Sequence, residues 1–291
     1  MKTFEFRPKL FDALKNYSKE AFLSDLMAGI IVGIVALPLA IAFGIASGVS
    51  PEKGIITAII AGFIISFLGG SKVQIGGPTG AFIVIIYGII QQYGEKGLLV
   101  ATIMAGVLLI LLGVFKLGTI IKFIPYPIVV GFTSGIALTI FTTQIKDLFG
   151  LSMHIVPADF ISKWIAYFQN FITISIWPTV VGLLSILLII YTPKFSKKIP
   201  GSLVAIVLMT VLAYILKTYA GITSIETIGD RFTINASLPH AQVPNMSWEV
   251  IKALFPTAIT IAVLGAIESL LSATVADGVT GDKHNSNQEL I

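Results

Sequence analysis

Long apolar runs separated by short polar stretches recur along the whole chain of 291 residues. Most of them approach the length of about 20 residues that an α-helix needs to cross the hydrocarbon core of a bilayer. The pattern therefore predicts an all-α polytopic membrane protein. Eight segments are recognisable, at about 22–46, 54–68, 79–90, 97–115, 127–145, 179–191, 202–216 and 250–276.

One interruption between apolar runs differs from the others because it is built from glycine, proline and threonine, at 76–81 (GGPTGA). Proline suits the first turn of a helix, where its missing N–H costs nothing. The short third segment that follows is typical of a half-helix that begins at membrane depth. A tight loop between two ordinary membrane spans is equally compatible with this sequence. As a half-helix, it would direct the N–H groups of Thr79, Gly80 and Ala81 at a small anion.

An acidic residue, Glu268, lies well inside the last apolar segment. A charged carboxylate facing lipid there would cost roughly 2.5 kcal/mol or more, so we expect Glu268 to face the protein interior. Ser272 follows four residues later on the same helix face. A carboxylate with nearby hydroxyls fits a Na⁺ site or a protonation switch, and a structural hydrogen bond to another helix is the simpler alternative.

Composition narrows the function further. The chain is 55% hydrophobic and only 12% charged, and it contains no cysteine, which excludes disulfides and thiolate metal sites. The three histidines lie far apart in sequence, no Ser/His/Asp arrangement is visible, and we predict no enzyme, no cofactor and no metal site. The net charge of +4 fits basic loops at a membrane surface, so we predict no nucleic-acid partner.

The loop charges indicate an orientation. With the N-terminus inside and one crossing per segment, most of the 19 lysines and arginines fall on the inner side, and the cluster of Lys194, Lys197 and Lys198 is the clearest sign. Segment eight also echoes segment one with opposite direction, as transporters with inverted repeats do. The matching pairs are Ala36 with Ala266, Ala46 with Ala276, Gly48 with Gly278, and Val49 with Val279.

Several stretches resemble the bacterial sulfate permease (SulP) family of anion transporters, and the resemblance runs from about Tyr17 to the end of the chain. They are 36–44 (ALPLAIAFG), 73–82 (VQIGGPTGAF), 267–271 (IESLL) and 284–291 (HNSNQELI). The resemblance implies secondary active transport of a small inorganic anion such as sulfate or bicarbonate, with an elevator-like movement. An uncoupled channel, an exchanger and a dicarboxylate transporter on the same fold stay open as alternatives.

The resemblance also implies the uracil-permease-like fold of two inverted repeats of seven segments (7+7), in which a core domain moves against a gate domain. We therefore expect a chain truncated after segment eight, without segments nine to fourteen and the cytoplasmic STAS domain. The implied domains are a cytoplasmic N-terminal segment (1–20), core segments one to four (21–120), gate segments five to seven (121–217, with an interfacial helix near 157–176), an external loop (218–248), and core segment eight with a cytoplasmic tail (249–291).

For the site, the resemblance implies an anion pocket lined by Pro38, Ala42, Thr79, Gly80 and Ala81. It assigns the coupling ion to Glu268 and Ser272. Relatives with Asp and Thr at those two positions resemble Na⁺-coupled bicarbonate transporters; Glu with Ser departs from that pair and favours H⁺, while Na⁺ stays open. A homodimer in the bacterial inner membrane, embedded in the lipid bilayer with a cytoplasmic N-terminus, is the implied setting.

Overall fold

The computed structural model describes residues 6–15, 17–119, 126–153, 156–157, 159–196, 199–231, 244 and 246–291. Every regular element in these ranges is helical. The helices are α1 (Leu10–Ala13), α2 (Lys19–Ala46), α3 (Pro51–Leu68), α4 (Ile83–Val114), α5 (Tyr126–Leu148), α6 (Phe160–Gln169), α7 (Ile176–Phe195), α8 (Gly201–Tyr219), α9 (Ile228–Arg231), α10 (Trp248–Thr280) and α11 (Ser286–Glu289), with 3₁₀ turns at Gly80–Phe82 and Phe171–Thr173.

The chain forms two compact units, and α2 and α5 contribute to both. Unit 1 comprises the described residues within 1–23, 40–134 and 236–291, and unit 2 comprises those within 24–39 and 135–235. The predicted division into a core domain and a gate domain stays a prediction. The basic cluster that indicated the orientation is only partly described, because Lys197 and Lys198 lie outside the described residues.

Among the residues that the structure describes, six stretches are long and apolar enough to cross a membrane: α2, α3, α7, α8, α10 and the stretch Gly80–Val114. The protein is thus a multi-pass membrane protein, as predicted. The stretch Gly80–Val114 contains predicted segments three and four, and its helical geometry is interrupted at Gly94 between them. The helix at predicted segment five, α5, is not among the six.

Predicted segment one contains a proline, Pro38, and α2 continues through it from Lys19 to Ala46. A proline inside a helix removes one hydrogen bond, here to the carbonyl of Ile34, and is often disruptive in water. In a membrane, however, an unravelled helix would expose several more unpaired backbone groups. Continuation of α2 is therefore the less costly solution.

Unit 1 is built on the packing of α10 against α4. Buried residues recur every three or four positions along α10, which gives it one continuous inner face. Most of them are alanines, and small side chains allow two helices to approach closely where van der Waals packing rather than water drives association. The buried residues of α10 are Leu254, Ala258, Ala262, Ala266, Leu270 and Ala273.

Gly94 breaks the helical geometry within α4, at the junction of predicted segments three and four. Its φ of 66° and ψ of −176° lie in a region that only glycine adopts readily. An ion pair between Lys53 at the start of α3 and Glu95 lies beside this break. Two helical stretches therefore meet at Gly94, which lies between predicted segments three and four.

We predict that Gly94→Ala destabilises the protein by about 1–3 kcal/mol, through backbone strain alone. A Cβ at this position would meet no atom within 4 Å, so no steric clash contributes. Gly106→Ala is the matched control, because Gly106 lies in the regular part of α4 and its Cβ would also be in open space. Thermal unfolding of both variants in detergent measures the difference, and equal melting temperatures would contradict the prediction.

Unit 2 contains α7 and α8, which pack against each other, and the short helix α6. Asp159 caps α6 by accepting a hydrogen bond from the N–H of Ser162 at 2.9 Å, and this bond lowers the pKa of the Asp159 carboxyl. One face of α6 is buried through Tyr167, while Phe168 is 71% exposed. The helix lies within the predicted interfacial stretch 157–176, and its place at a membrane interface stays a prediction.

Residues 281–291 lie within the predicted cytoplasmic tail, and more than half of them are buried or half-buried in unit 1. Gln288 is completely buried. Its side chain accepts a hydrogen bond from the N–H of Arg7 and donates one to the carbonyl of Leu68, both at 2.9 Å. Leu290 packs on Ala266 and Leu270 of α10. The polar side chain of Gln288 therefore forms hydrogen bonds with backbone groups of unit 1.

Candidate functional site

The glycine-rich break leads into a helix start, in keeping with the half-helix interpretation. Residues up to Thr79 are irregular or extended, the 3₁₀ turn Gly80–Phe82 follows, and α4 begins at Ile83. Thr79 has extended backbone geometry (φ −128°, ψ 150°), and its Oγ1 accepts a hydrogen bond from the N–H of Ala81 at 3.1 Å. Threonine thereby acts as the N-cap that satisfies one of the unpaired donors of this helix end.

Glu268 of α10 meets this helix start directly. The hydroxyl of Thr79 donates a hydrogen bond of 2.8 Å to Oε2 of Glu268, across 189 positions of sequence. Both side chains are half-buried, and Gly80 is buried. Gly265 lies one turn before Glu268, and a Cβ there would be only 3.8 Å from the Phe82 ring, so α10 passes close to the turn.

The Thr79–Glu268 contact changes which groups remain for an anion. The hydroxyl proton of Thr79 is donated to Glu268, and the N–H of Ala81 is held by the Thr79 oxygen. Among the described residues, no acceptor is recorded for the N–H groups of Thr79 and Gly80. The positive end of the helix therefore retains two free donors, beside a carboxylate that is itself attracted to that end.

The other hydroxyls near Glu268 are directed elsewhere. Ser269 donates to Oε1 of Glu289 at 3.1 Å, and Thr274 donates to the carbonyl of Leu270 at 2.7 Å. Ser272 is exposed, four residues beyond Glu268 on α10, and no hydrogen bond to Glu268 is recorded for it. Within the described ranges, no group of three or more His, Cys, Asp or Glu side chains could hold a metal ion.

The two predicted pocket residues on α2 fall in different units. Ala42 belongs to unit 1, together with Thr79 and Glu268, and it is half-buried between the buried Ile41 and Phe43. Pro38 belongs to unit 2. The structure thus brings Thr79, Gly80, Ala81 and Glu268 together by direct contacts and chain continuity, whereas neither α2 residue has a recorded hydrogen bond to this group.

Three hydrogen-bonded side chains, those of Asp277, His284 and Ser286, join the end of α10 to α11. The sequence pattern did not reveal this arrangement. The Nδ1 of His284 lies 2.7 Å from Oδ2 of Asp277, and its Nε2 lies 2.9 Å from Oγ of Ser286. The N–H of His284 also donates to the Asp277 carboxylate at 3.0 Å. These hydrogen bonds hold the segment after α10 in place. Ser286 is only 6% exposed, so its hydroxyl is not an accessible nucleophile.

A second carboxylate near the site, Glu289, was also missed by reasoning from the sequence. Its Oε2 accepts a hydrogen bond from the N–H of Gly70 at 2.7 Å, and its Oε1 accepts the one from Ser269. Burial raises the pKa of the Glu289 carboxyl, against the opposing effect of these hydrogen bonds. The motif 284–291, which contains Glu289, was the signal in the sequence for this residue. It contributed to the family resemblance, but no structural role was predicted for its polar residues.

Comparison with known proteins gives a consistent result. The model of the sulfate permease family matches residues 22–291. A Bacillus subtilis (strain 168) protein named "Putative sulfate transporter YvdB" is 46% identical over 277 residues, which cover 95% of this chain and 52% of that protein. A protein of Picosynechococcus sp. named "Bicarbonate transporter BicA" is 34% identical over 254 residues, covering 82% and 43%. The chain thus spans about half the length of these curated relatives.

A solved structure supports the same fold. The transmembrane domain of a cyanobacterial bicarbonate transporter, BicA, superposes with a TM-score of 0.74 at 31% sequence identity, over 91% of this chain and 68% of that one. The predicted fold class, an all-α membrane protein of the uracil-permease-like type, is confirmed. The relatives carry the names of transporters and not of enzymes, in agreement with the function class predicted from sequence.

Proposed function

Since the chain belongs to the sulfate permease family, we propose that it forms part of a secondary active transporter of a small inorganic anion of the sulfate or bicarbonate class. The observation that carries this proposal is the hydrogen bond between Thr79 and Glu268 at the start of a helix. Free N–H groups at that helix end attract negative charge without a basic side chain. The names of the relatives, which include sulfate and bicarbonate transporters, agree with this substrate class.

We propose H⁺ coupling because Glu268 and an anion compete for the same positive helix end. Two like charges 4 Å apart repel by about 4 kcal/mol at an effective dielectric constant of about 20. Protonation of Glu268 removes this repulsion, so the proton and the anion bind more tightly together than either binds alone. Reciprocal coupling of this kind is the thermodynamic requirement for symport.

Na⁺ is the second candidate for the coupling ion, and it would act by the same neutralisation of Glu268. Hard cations take several oxygen ligands. Within the described residues, Ser269 donates to Glu289 and Thr274 to the carbonyl of Leu270, and no contact of either hydroxyl with Glu268 is recorded. A proton needs only the Glu268 carboxylate, whereas a metal ion would have to recruit several oxygens, from Ser272 and other groups.

The remaining parts of the proposal follow the family. We place the protein in the bacterial inner membrane with its N-terminus in the cytoplasm, in agreement with the bias of basic residues in the loops. The transporter works by an elevator-like shift of a core domain that carries the Thr79–Glu268 site, and it forms a homodimer. An uncoupled anion channel is the competing function, and it shares the same binding site.

Tracer uptake into proteoliposomes tests the proposed function. We expect the complete gene product to concentrate radiolabelled sulfate or bicarbonate when the outside is more acidic than the inside, above the level reached in protein-free liposomes. That blank is needed because bicarbonate also enters as CO₂ and accumulates in an alkaline interior without a transporter. For one proton per monovalent anion, one pH unit corresponds to about 1.4 kcal/mol and about tenfold accumulation. Parallel measurements with a dicarboxylate, and with and without Na⁺ at equal pH, identify the substrate class and the coupling ion.

The controls separate the alternatives. A channel equilibrates the tracer but does not concentrate it, so equilibration without accumulation would replace symport by the channel. Accumulation that needs Na⁺ and ignores the pH gradient would replace H⁺ by Na⁺. No uptake of any of the three anions, by protein that elutes as a single folded species, would contradict anion transport itself.

A further inference from the structure

The connection between α3 and the 3₁₀ turn at Gly80 is held at both of its ends by the α10–α11 region. At its far end, Thr79 donates to Glu268. At its near end, the N–H of Gly70 donates to Glu289 at 2.7 Å, and the carbonyl of Gly70 accepts from the N–H of Asn285 at 2.8 Å. Eight residues lie between Gly70 and Thr79, and they are irregular. An exposed ion pair of 2.8 Å between Lys72 and Asp282 also links the connection to the segment after α10, so the two joints are its better-buried attachments.

The near joint is a direct contact between backbones. A Cβ on Gly70 would lie 2.2 Å from the carbonyl oxygen of Asn285 and 2.7 Å from the nitrogen of Glu289. Only a glycine permits this approach, and it brings the Gly70 N–H within reach of the Glu289 carboxylate. The completely buried Gln288 adds a third tie, through its bond to the carbonyl of Leu68 at the end of α3.

Ser269 connects the near joint to the site. Its hydroxyl donates to Oε1 of Glu289, and the preceding residue of α10 is Glu268, the acceptor of the Thr79 hydroxyl. Adjacent positions of one helix turn thus hold the two ends of the connection, one directly and one through Glu289. A shift of Glu289 would release Gly70 from α10 while leaving Glu268 itself untouched.

We propose that Glu289 is a positioning residue for anion transport, and the inference rests on the proposed function. By accepting from Gly70 and Ser269 at once, Glu289 fixes the connection 70–79 to α10, so that Thr79 and the free N–H of Gly80 meet Glu268 in the binding geometry. Hydrogen bonding carries this role, and a net charge on Glu289 does not. Burial in this position, which raises the pKa of the carboxyl, is compatible with either protonation state.

Three variants of the complete gene product test the proposal. Glu289→Ala removes both acceptors, and we expect the half-saturating anion concentration to rise at least tenfold while the maximal rate per folded transporter changes less than threefold. Glu289→Gln can accept from Gly70 through its oxygen and donate to Ser269 through its amide, so we expect values within about threefold of the unmodified protein. Glu249→Ala, at the exposed first turn of α10, is the control.

Ser269→Ala supplies a milder test should Glu289→Ala fail to fold. It deletes one hydrogen bond, and we expect a smaller rise in the half-saturating concentration. If both residues act through one joint, the double variant is no worse than Glu289→Ala alone. A loss of folded protein with unchanged half-saturation, or a Glu289→Gln variant as impaired as Glu289→Ala, would overturn the positioning role.

Hydrogen exchange gives a readout that does not depend on transport. We expect amides in 70–82 to exchange about tenfold faster in Glu289→Ala, because a lost hydrogen bond lowers the free energy of local opening. Exchange in α8 of unit 2 should stay the same. Faster exchange in a protein that transports no anion would contradict the proposed function and keep the positioning role; unchanged exchange in an active transporter would overturn the positioning role alone.

Discussion

Glu268→Gln is expected to abolish accumulation driven by a pH gradient while leaving the folded transporter and its anion site intact. Glutamine keeps an oxygen that accepts the hydroxyl proton of Thr79, so the contact of 2.8 Å can persist. It has no group that gains or loses a proton, so movement of the anion is no longer linked to that of H⁺. In proteoliposomes with an acidic exterior, the ratio of internal to external tracer, relative to protein-free liposomes, should fall to about one.

The same uptake measurement contains its controls. Glu249→Gln makes the identical replacement at the exposed start of α10, and it should accumulate tracer as the unmodified protein does. Tracer exchange between equal anion concentrations should continue in Glu268→Gln, which shows that the anion site still works. If Glu268→Gln concentrates the anion to the unmodified ratio, Glu268 is not the coupling group.

The Thr79–Glu268 contact separates what the sequence predicts from what only the folded structure shows. A carboxylate within an apolar segment is costly unless it finds a partner, and a break rich in glycine and proline marks a helix start, so each feature stands out alone. Their meeting depends on the close packing of α10 against α4, which alanines spaced along α10 permit. Nothing local to either stretch encodes that contact.

The segment after α10 shows the opposite case, in which the local pattern misled. Asn, Gln, Ser and Glu in succession read as a solvated tail, since such residues are mostly exposed in folded proteins. Here Ser286 and Gln288 are buried, and the side chains of Glu289 and Asn287 accept hydrogen bonds from the backbone N–H groups of Gly70 and Gly118. Pattern reasoning weighs side chains one by one, whereas the partners of these side chains are backbone groups of distant residues.

The crossing of α2 and α3 in unit 1 has almost no free space. The backbone of Gly54 on α3 lies against the backbone of α2, and a Cβ built on Gly54 would be 2.2 Å from the carbonyl oxygen of Ala40. Contacts under 3.0 Å essentially do not occur for a real Cβ, and a backbone oxygen cannot rotate away as a side chain could. Gly44 faces the same crossing, and a Cβ built on it would be 3.3 Å from the Cα of Gly54.

Gly54→Ala should therefore destabilise the protein strongly, by about 3 kcal/mol or more, at the upper end of what overpacking costs. The two helices have to separate by the better part of an ångström, and the buried residues Ala40, Ile41 and Phe43 of α2 lose packing as a result. Size-exclusion chromatography and thermal unfolding in detergent measure the folded fraction and the melting temperature. Gly33→Ala is the matched control, since Gly33 lies on α2 with open space around its Cβ position, and alanine there should be neutral or slightly stabilising. Equal melting temperatures for the two variants would show that α2 and α3 are not as tightly apposed as this crossing requires.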